Sequence, residues 1–270
     1  MSTWRLLKLD TYNAYMNMAI DEAIMEAKLK GLAPNTIRFY RWNPSAVSIG
    51  RFQELESAVY LENCREIGVN VVRRISGGGA VYHDSAGEVT YSVIADKESL
   101  RAKNALEVYA RVYSGIVQAL RILGLTATFH EGDEKNCPNL TVEGRKISGS
   151  AQCHRSGIVL QHGTLLLNVN LERMFTLLKV HWAKTCAEVV EIAKGKITSI
   201  KVELGKDVKI EDVHNALVRG FQEALGIKIK KGNLTDYEKT LAERLCIEKY
   251  STQEWNLHGR IWSESLLKIK

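Results

Sequence analysis

Apolar residues at helical spacing mark the first element of this chain. Met16, Ile20, Ala23, Ile24 and Ala27 share one stripe of a helix expected over residues 13–30. Two segments of strand character follow, 36–42 and 46–49, turned by Asn43-Pro44. A short helix over 57–67 leads into a strand over 69–73, and a turn on Gly77, Gly78 and Gly79 precedes a strand over 88–94. The longest helical pattern covers 102–123, with Leu106, Tyr109, Val112, Tyr113, Ile116 and Leu120 on its expected inner face. Residues 126–170 are rich in strand and turn character, with glycines at 132, 144, 149, 157 and 163. Helical patterns return over 171–180, 210–225 and 236–250, while 227–230 alternate apolar and basic as a half-exposed strand does.

Strands that arrive as hairpins, with helices interspersed, predict an α+β fold with a mixed, largely antiparallel central sheet flanked by helices. A doubly wound dinucleotide site is not expected, because the glycine turn lacks the G-x-G-x-x-G spacing and a strand follows it. Residues 1–270 read as a single domain, with 210–270 as a small C-terminal helical lobe of it.

Composition adds bounds. The chain has 270 residues, 45% hydrophobic and 25% charged, enough to bury a substantial core. No window approaches the roughly 18 apolar residues of a membrane span. The N-terminus lacks the basic start and apolar run of a signal peptide, so a cytoplasmic location and no membrane partner are expected. The five cysteines never form C-x-x-C, which predicts neither a disulfide framework nor structural zinc. The net charge of +6 suits an acidic carrier protein, and without an arginine-rich tract or aromatic-basic interleaving nucleic acid is not an expected partner.

Three stretches carry candidate chemistry. In 73–84, Arg73 and Arg74 precede Ser76-Gly77-Gly78-Gly79, and Val81, Tyr82, His83 and Asp84 follow. Consecutive glycines let backbone approach a ligand closely, successive N–H groups can form an anion nest, and the arginines add charge-assisted bonds. In 142–152, Lys146 lies between Gly144 and Gly149, with Ala151 beyond, where an ammonium can neutralise reacting oxygens. In 160–167, His162-Gly163-Thr164 runs into an apolar strand.

Together these stretches closely resemble the lipoate-protein ligase family. Residues 73–84 look like its R-R-x-x-G-G-G-x-V-x-H-D signature, 144–152 are similar to its lysine motif, and 162–167 to its H-G-T-L-L segment. The likeness extends to 17–23, 37–42 and 249–256, and is nearest to short archaeal ligases with a separate small accessory subunit. It implies a fold like the biotin/lipoate-protein ligase catalytic domain. It also implies an ATP- and Mg²⁺-dependent activation of lipoate or octanoate as acyl-adenylate. Transfer would follow to a lysine of the lipoyl domains of 2-oxoacid dehydrogenase complexes or of the glycine-cleavage H protein.

By the same likeness Lys146 contacts carboxyl and α-phosphate oxygens, and Gly77, Gly78 and Gly79 line the acyl-adenylate. Arg73 or Arg74 approaches carboxylate or phosphate; Tyr82, His83 and Asp84 shape the adenylate pocket. His162 and Thr164 lie beneath the acyl chain; Val81 and Leu165 are candidates for its tunnel; Gly149 and Ala151 complete the expected set. One departure stands out. Asn139 occupies the position, seven before the lysine, where many of these ligases carry a Mg²⁺-binding aspartate; it offers a carbonyl oxygen but no charge, which leaves Asp84 or Asp133 as substitutes and the metal ligands unassigned. The alternative on this superfamily is a cysteine-dependent octanoyltransferase, whose motif is similar to V-E-G-R-K-I-S-G-S-A-Q here. Its nucleophile lies about fifteen positions before the lysine, where this chain has Glu131, a spacing that neither Cys137 nor Cys153 matches, although a loop can bring Cys137 near Lys146, whose charge can lower a thiol pKa.

Overall fold

Asn13 opens the first helix, its Oδ1 accepting from the Met16 N–H at 2.9 Å in place of the missing helical partner. The computed structural model describes residues 1–133, 137–180, 182–183 and 185–260. Strands β1 (Thr3–Leu6) and β2 (Asp10–Tyr12) precede this helix, α1 (Ala14–Leu29), and β3 (Thr36–Trp42) follows it. β4 (Ala46–Ile49), β5 (Asn70–Arg73) and β6 (Val81–His83) form a small sheet in the order β5-β4-β6, with α2 (Leu55–Ala58) and α3 (Leu61–Glu66) inserted. Next come β7 (Glu88–Asp96), α4 (Ala105–Ile122), β8 (Thr128–His130), β9 (Asn139–Val142), β10 (Arg145–Arg155) and β11 (Ile158–Leu166). The chain continues through α5 (Leu171–Leu177), α6 (Cys186–Lys194), α7 (Ile200–Leu204), α8 (Ile210–Leu225), β12 (Lys228–Lys231) and α9 (Asp236–Leu245).

Among the described residues the main sheet has nine strands, ordered β12-β1-β3-β7-β11-β10-β9-β8, with β2 also beside β3. Pairing is parallel at β12-β1-β3 and antiparallel from β3 to β8, so the fold is α+β with a mixed, mostly antiparallel sheet flanked by helices. Alternation along the strands supplies both faces. Phe39 and Val93 enter the core under α4 and α8; their neighbours Tyr40 and Ile94 enter the core under α1 and α9. No helix among the described residues is long and apolar enough to cross a membrane.

Several element expectations change in detail. Helix α1 buries more than one apolar stripe: Asn17, Asp21, Glu22 and Glu26 are also buried, because α9 covers the face that α1 turns from the sheet. Leu106, expected on the inner face of α4, sits in its first turn and is 38% exposed. The helix expected over 57–67 is two short helices, and the one expected over 171–180 ends at Leu177. Past α9, a π-helical turn over Cys246–Tyr250 continues the segment. Residues 261–270 of the expected C-terminal lobe lie outside the described residues.

Candidate active site

The small sheet and the β10-β11 hairpin enclose a cavity of about 510 Å³. Lys146, Gly149 and Ala151 reach it from β10; His162, Gly163 and Thr164 from β11; Val81, Tyr82 and His83 from β6. Gly78 and Gly79 line it from the turn, and Arg74 from below that turn. Met174, Phe175, Leu178 and Leu166 add an apolar wall. Of the sequence-derived candidates, Arg73, Gly77 and Asp84 are not among the lining residues, and Asn139 is.

Lys146 is held by its backbone. A register shift between Lys146 and Ser148 in β10 frees that residue to bond a segment 50 positions on: its N–H donates to the Lys196 carbonyl at 2.8 Å, and Thr198 N–H donates to its carbonyl at 2.9 Å. Its side chain then lies across Gly149. A Cβ there would stand 2.8 Å from Lys146 Cε, so glycine is required for the lysine to lie as it does. Lys146 lines the cavity with its side chain still accessible to solvent; desolvation by the surrounding protein pushes its pKa below the ordinary lysine value, while negative charge on Cys137 raises it.

The two arginines diverge. Adjacent residues at a strand end face opposite sides. Arg73 turns away from the cavity and donates to six backbone carbonyls, those of Gly50, Arg51, Gln53, Trp255, Asn256 and Leu257, at 2.6–3.1 Å. It therefore clasps the C-terminal turn to the sheet and is not placed to meet an anion. Arg74 is buried beside the glycine turn: Nη2 donates to the Gly77 and Gly79 carbonyls at 2.7 and 2.8 Å, Nε to Ser76 Oγ, and Nη1 to the Ser48 carbonyl and Oγ. Burial lowers its pKa to about 10. Gly50 admits this turn, since a Cβ on it would stand 2.0 Å from the Gly78 carbonyl oxygen.

Both motif histidines are buried. His162 Nδ1 lies 3.0 Å from Asp21 Oδ2 and its Nε2 2.6 Å from Ser76 Oγ. His83 Nδ1 lies 2.8 Å from Glu88 Oε1, its Nε2 2.8 Å from Ser48 Oγ, and its ring stacks on Trp42 at 3.9 Å. Burial pushes the His162 pKa down against the opposing pull of Asp21, so its imidazole is neutral at neutral pH. Asp84 caps the turn before β7: its Oδ1 accepts from the N–H groups of Ala86 and Gly87 at 2.8 and 3.1 Å. Leu165, a candidate for the acyl tunnel, is buried in the α4-side core; Leu166 faces the cavity instead, one residue on along the strand.

The cysteines separate clearly. Cys153 packs into the α1-side core, where burial raises its pKa. Cys137 is exposed and lines the cavity with Lys146, close enough for its charge to act on both Lys146 and Arg74. Its turn is braced from two directions: Tyr113 Oη donates to the Pro138 carbonyl at 3.0 Å, and Asn139 Nδ2 to the Cys137 carbonyl at 3.2 Å. Motif spacing alone pointed to Glu131; Cys137 stands instead beside the lysine in the cavity, as a loop there allows. Sequence reasoning also gave no role to Asp21, Ser48, Ser76, Glu88 or the 196–198 segment, although the N-M-A-I-D-E-A likeness covers Asp21 and the glycine motif covers Ser76.

These donors do not fit Mg²⁺. Asn139, its Nδ2 donating to the Cys137 carbonyl, can offer only a neutral oxygen; Asp84 is engaged in its cap, and no described Asp or Glu is among the lining residues. Among the described residues no group of three or more His, Cys, Asp or Glu side chains is placed to hold a metal ion.

Known proteins agree with the fold and redirect the chemistry. Octanoyltransferase LipM of Clostridioides difficile is 34% identical over 271 residues, covering 95% of this chain and 99% of that protein. The protein of the same name from Kyrpidia tusciae is 37% identical over 274 residues, again covering 95% and 99%. A solved structure of a bipartite lipoate protein ligase from Thermoplasma acidophilum, described with its E2 lipoyl domain, superposes with a TM-score of 0.84 at 32% identity, covering 98% of this chain and 100% of that one. The expectation of ATP-dependent ligation through an acyl-adenylate is therefore corrected: relatives at 33–37% identity across nearly the whole chain are named octanoyltransferases, and the cavity is lined by Cys137 and by no described carboxylate. The model of the lipoyl protein ligase A/B catalytic domain matches residues 13–222, and the chain belongs to that family.

Proposed function

We propose that this chain is an octanoyltransferase that moves an octanoyl group from an acyl-carrier thioester, through Cys137, to a lysine of a lipoyl-carrier domain. The observation that carries this reading is Cys137 beside Lys146 in a cavity lined by no carboxylate among the described residues. Lys146, its pKa depressed by desolvation, takes the proton of the Cys137 thiol. The thiolate attacks the thioester carbonyl, the carrier thiol leaves with that proton, and an octanoyl-Cys137 thioester remains. The ε-amine of the acceptor lysine then attacks this second thioester; an amide forms, and Cys137 recovers its proton. Each step exchanges one acyl bond for another, so no nucleotide is consumed.

The cavity walls suit both ends of such a donor. Val81, Leu166, Met174, Phe175 and Leu178 offer an apolar surface for the eight-carbon chain, while Arg74, Lys146 and Lys179 offer positive charge for the phosphate of a carrier arm. Acceptors of the expected kind, lipoyl domains of 2-oxoacid dehydrogenases or the glycine-cleavage H protein, are acidic carriers that the net charge of +6 favours.

The test is intact-mass measurement of the purified chain with octanoyl-carrier protein and no ATP. An octanoyl adduct on Cys137 is expected, absent in Cys137→Ala and passed on when a lipoyl domain is added. No adduct on the unaltered chain, or an adduct that survives Cys137→Ala, rules this mechanism out.

A further inference from the structure

Arg74 is a buried cation with no described carboxylate in hydrogen-bond reach, yet two hydrogen-bonded chains run from it to carboxylates on opposite sides. One passes from Nε to Ser76 Oγ at 3.1 Å, on to His162 Nε2 at 2.6 Å, and from Nδ1 to Asp21 at 3.0 Å. The other passes from Nη1 to Ser48 Oγ at 3.1 Å, on to His83 Nε2 at 2.8 Å, and from Nδ1 to Glu88 at 2.8 Å. All the serines, histidines and carboxylates in these chains are buried.

Donor and acceptor rules fix the protons. A guanidinium only donates, so each serine oxygen accepts from Arg74 and has its own hydrogen to give to imidazole Nε2. A carboxylate only accepts, so each Nδ1 carries the hydrogen. With the serines donating, both rings accept at Nε2 and carry their hydrogen on Nδ1. At the other end, Arg74 Nη2 draws in the carbonyls of Gly77 and Gly79. In a planar trans peptide the N–H points opposite to the C=O, so the amides of Gly78 and Ala80 point away from Arg74. Both residues line the cavity, and no described residue accepts from either amide.

We propose that the two carboxylate–histidine–serine chains are a paired brace that fixes Arg74, and that Arg74 thereby presents the Gly78 and Ala80 amides as donors to the oxyanion of the acyl-transfer intermediate. Asp21, His162, Ser76, Glu88, His83 and Ser48 are positioning residues acting through Arg74. The oxyanion role rests on the acyl-transfer reading; the brace does not.

Asp21→Asn and Glu88→Gln form an internal control. Asp21 Oδ1 accepts from Arg38 at 2.9 Å, so in Asp21→Asn the new amide must keep its oxygen there and turn its NH₂ toward His162 Nδ1. His162 must then carry its hydrogen on Nε2, and Ser76 can no longer donate to it. Glu88 Oε2 has no partner, so in Glu88→Gln the NH₂ can take that position, oxygen can stay on His83, and the tautomer is left as it was. The experiment is ¹⁵N NMR of the histidine rings and of the Gly78 and Ala80 amides, with acylation kinetics of Cys137. The unaltered protein is expected to show His83 and His162 as Nδ1–H. Asp21→Asn is expected to flip His162, move the Gly78 and Ala80 resonances, and lower kcat about 100-fold at unchanged KM. Glu88→Gln is expected to leave tautomers and amides in place. Nε2–H or imidazolium in the unaltered protein, or amides unmoved by a flipped His162, overturns the brace. If the unaltered chain acylates nothing, the acyl-transfer reading fails while the ring and amide spectra still decide the brace. Acylation that ignores a flipped His162 overturns the oxyanion role.

Discussion

Two buried cations, Lys249 behind the sheet and Arg74 beneath the glycine turn, are equally hidden from solvent and are treated in opposite ways. Lys249 is 2% exposed, donates to both oxygens of Glu22 at 2.6 and 2.8 Å, and sits over the Trp255 ring at 4.0 Å. Tyr250 Oη donates to the same carboxylate at 2.6 Å, and Arg155 pairs with Glu26 beside it. Charge is cancelled on the spot, and the result ties the C-terminal segment to α1. Arg74, 5% exposed, keeps its counter-charges at the far end of each chain, beyond a serine and a histidine. A cation neutralised directly stabilises the fold; one neutralised only at a distance leaves positive potential in the cavity, where it can meet an anion.

The contrast predicts where each substitution should register. Glu22→Gln leaves Lys249 buried without its carboxylate and is expected to cost about 3–5 kcal/mol of stability, as breaking a buried pair does. Denaturant melts check this, with acylation per folded molecule unchanged; a loss under about 1 kcal/mol would break the comparison. Arg74→Lys keeps the charge but lacks the planar fork that reaches both glycine carbonyls and both serines. Its acylation rate is expected to fall roughly 10- to 100-fold, about 1.4–2.8 kcal/mol, with smaller loss of stability. A Lys variant of full activity would mean that charge alone matters.

Acid should give the smallest effect. His162 has a folded pKa below its ordinary 6.5, so the unfolded chain takes up this proton first; the stability it contributes is present above pH 6.5 and lost as pH falls through the folded value. His154 and His214 are shifted the same way by burial, so His162→Gln is expected to flatten the slope of stability against pH below 6.5, not abolish it. Urea midpoints at stepped pH measure it, and an unchanged slope would place the His162 proton elsewhere.

Much of the candidate site could be read from the sequence because its residues cluster in short motifs: Lys146, Gly78, Gly79 and His162 all line one cavity. Their supports could not. Asp21 is 141 positions from His162 and lies on a helix whose apolar stripe hides its buried polar side. The segment that grips Lys146 follows α6, which has no motif at all. Some misses were avoidable. Side chains of neighbouring strand residues point to opposite faces, which separates Arg73 from Arg74 and Leu165 from Leu166. Motif spacing weighs Cys137 by its distance in sequence from the lysine, whereas a loop sets its distance in space.

The clasp made by Arg73 bears on how this protein is made. Its acceptors include Trp255, Asn256 and Leu257, 182–184 positions downstream, and Arg5 at the opposite end pairs with Glu238 across 233. A ribosome delivers the Arg73 partners only after about 180 further residues have been added to β5. Until then β5 and the glycine turn beside it lack the carbonyls that hold Arg73, so a nascent chain carries every reactive residue without the frame that arms them. The glycine turn beside Cys137 is thus framed only once residues 255–257 have been made.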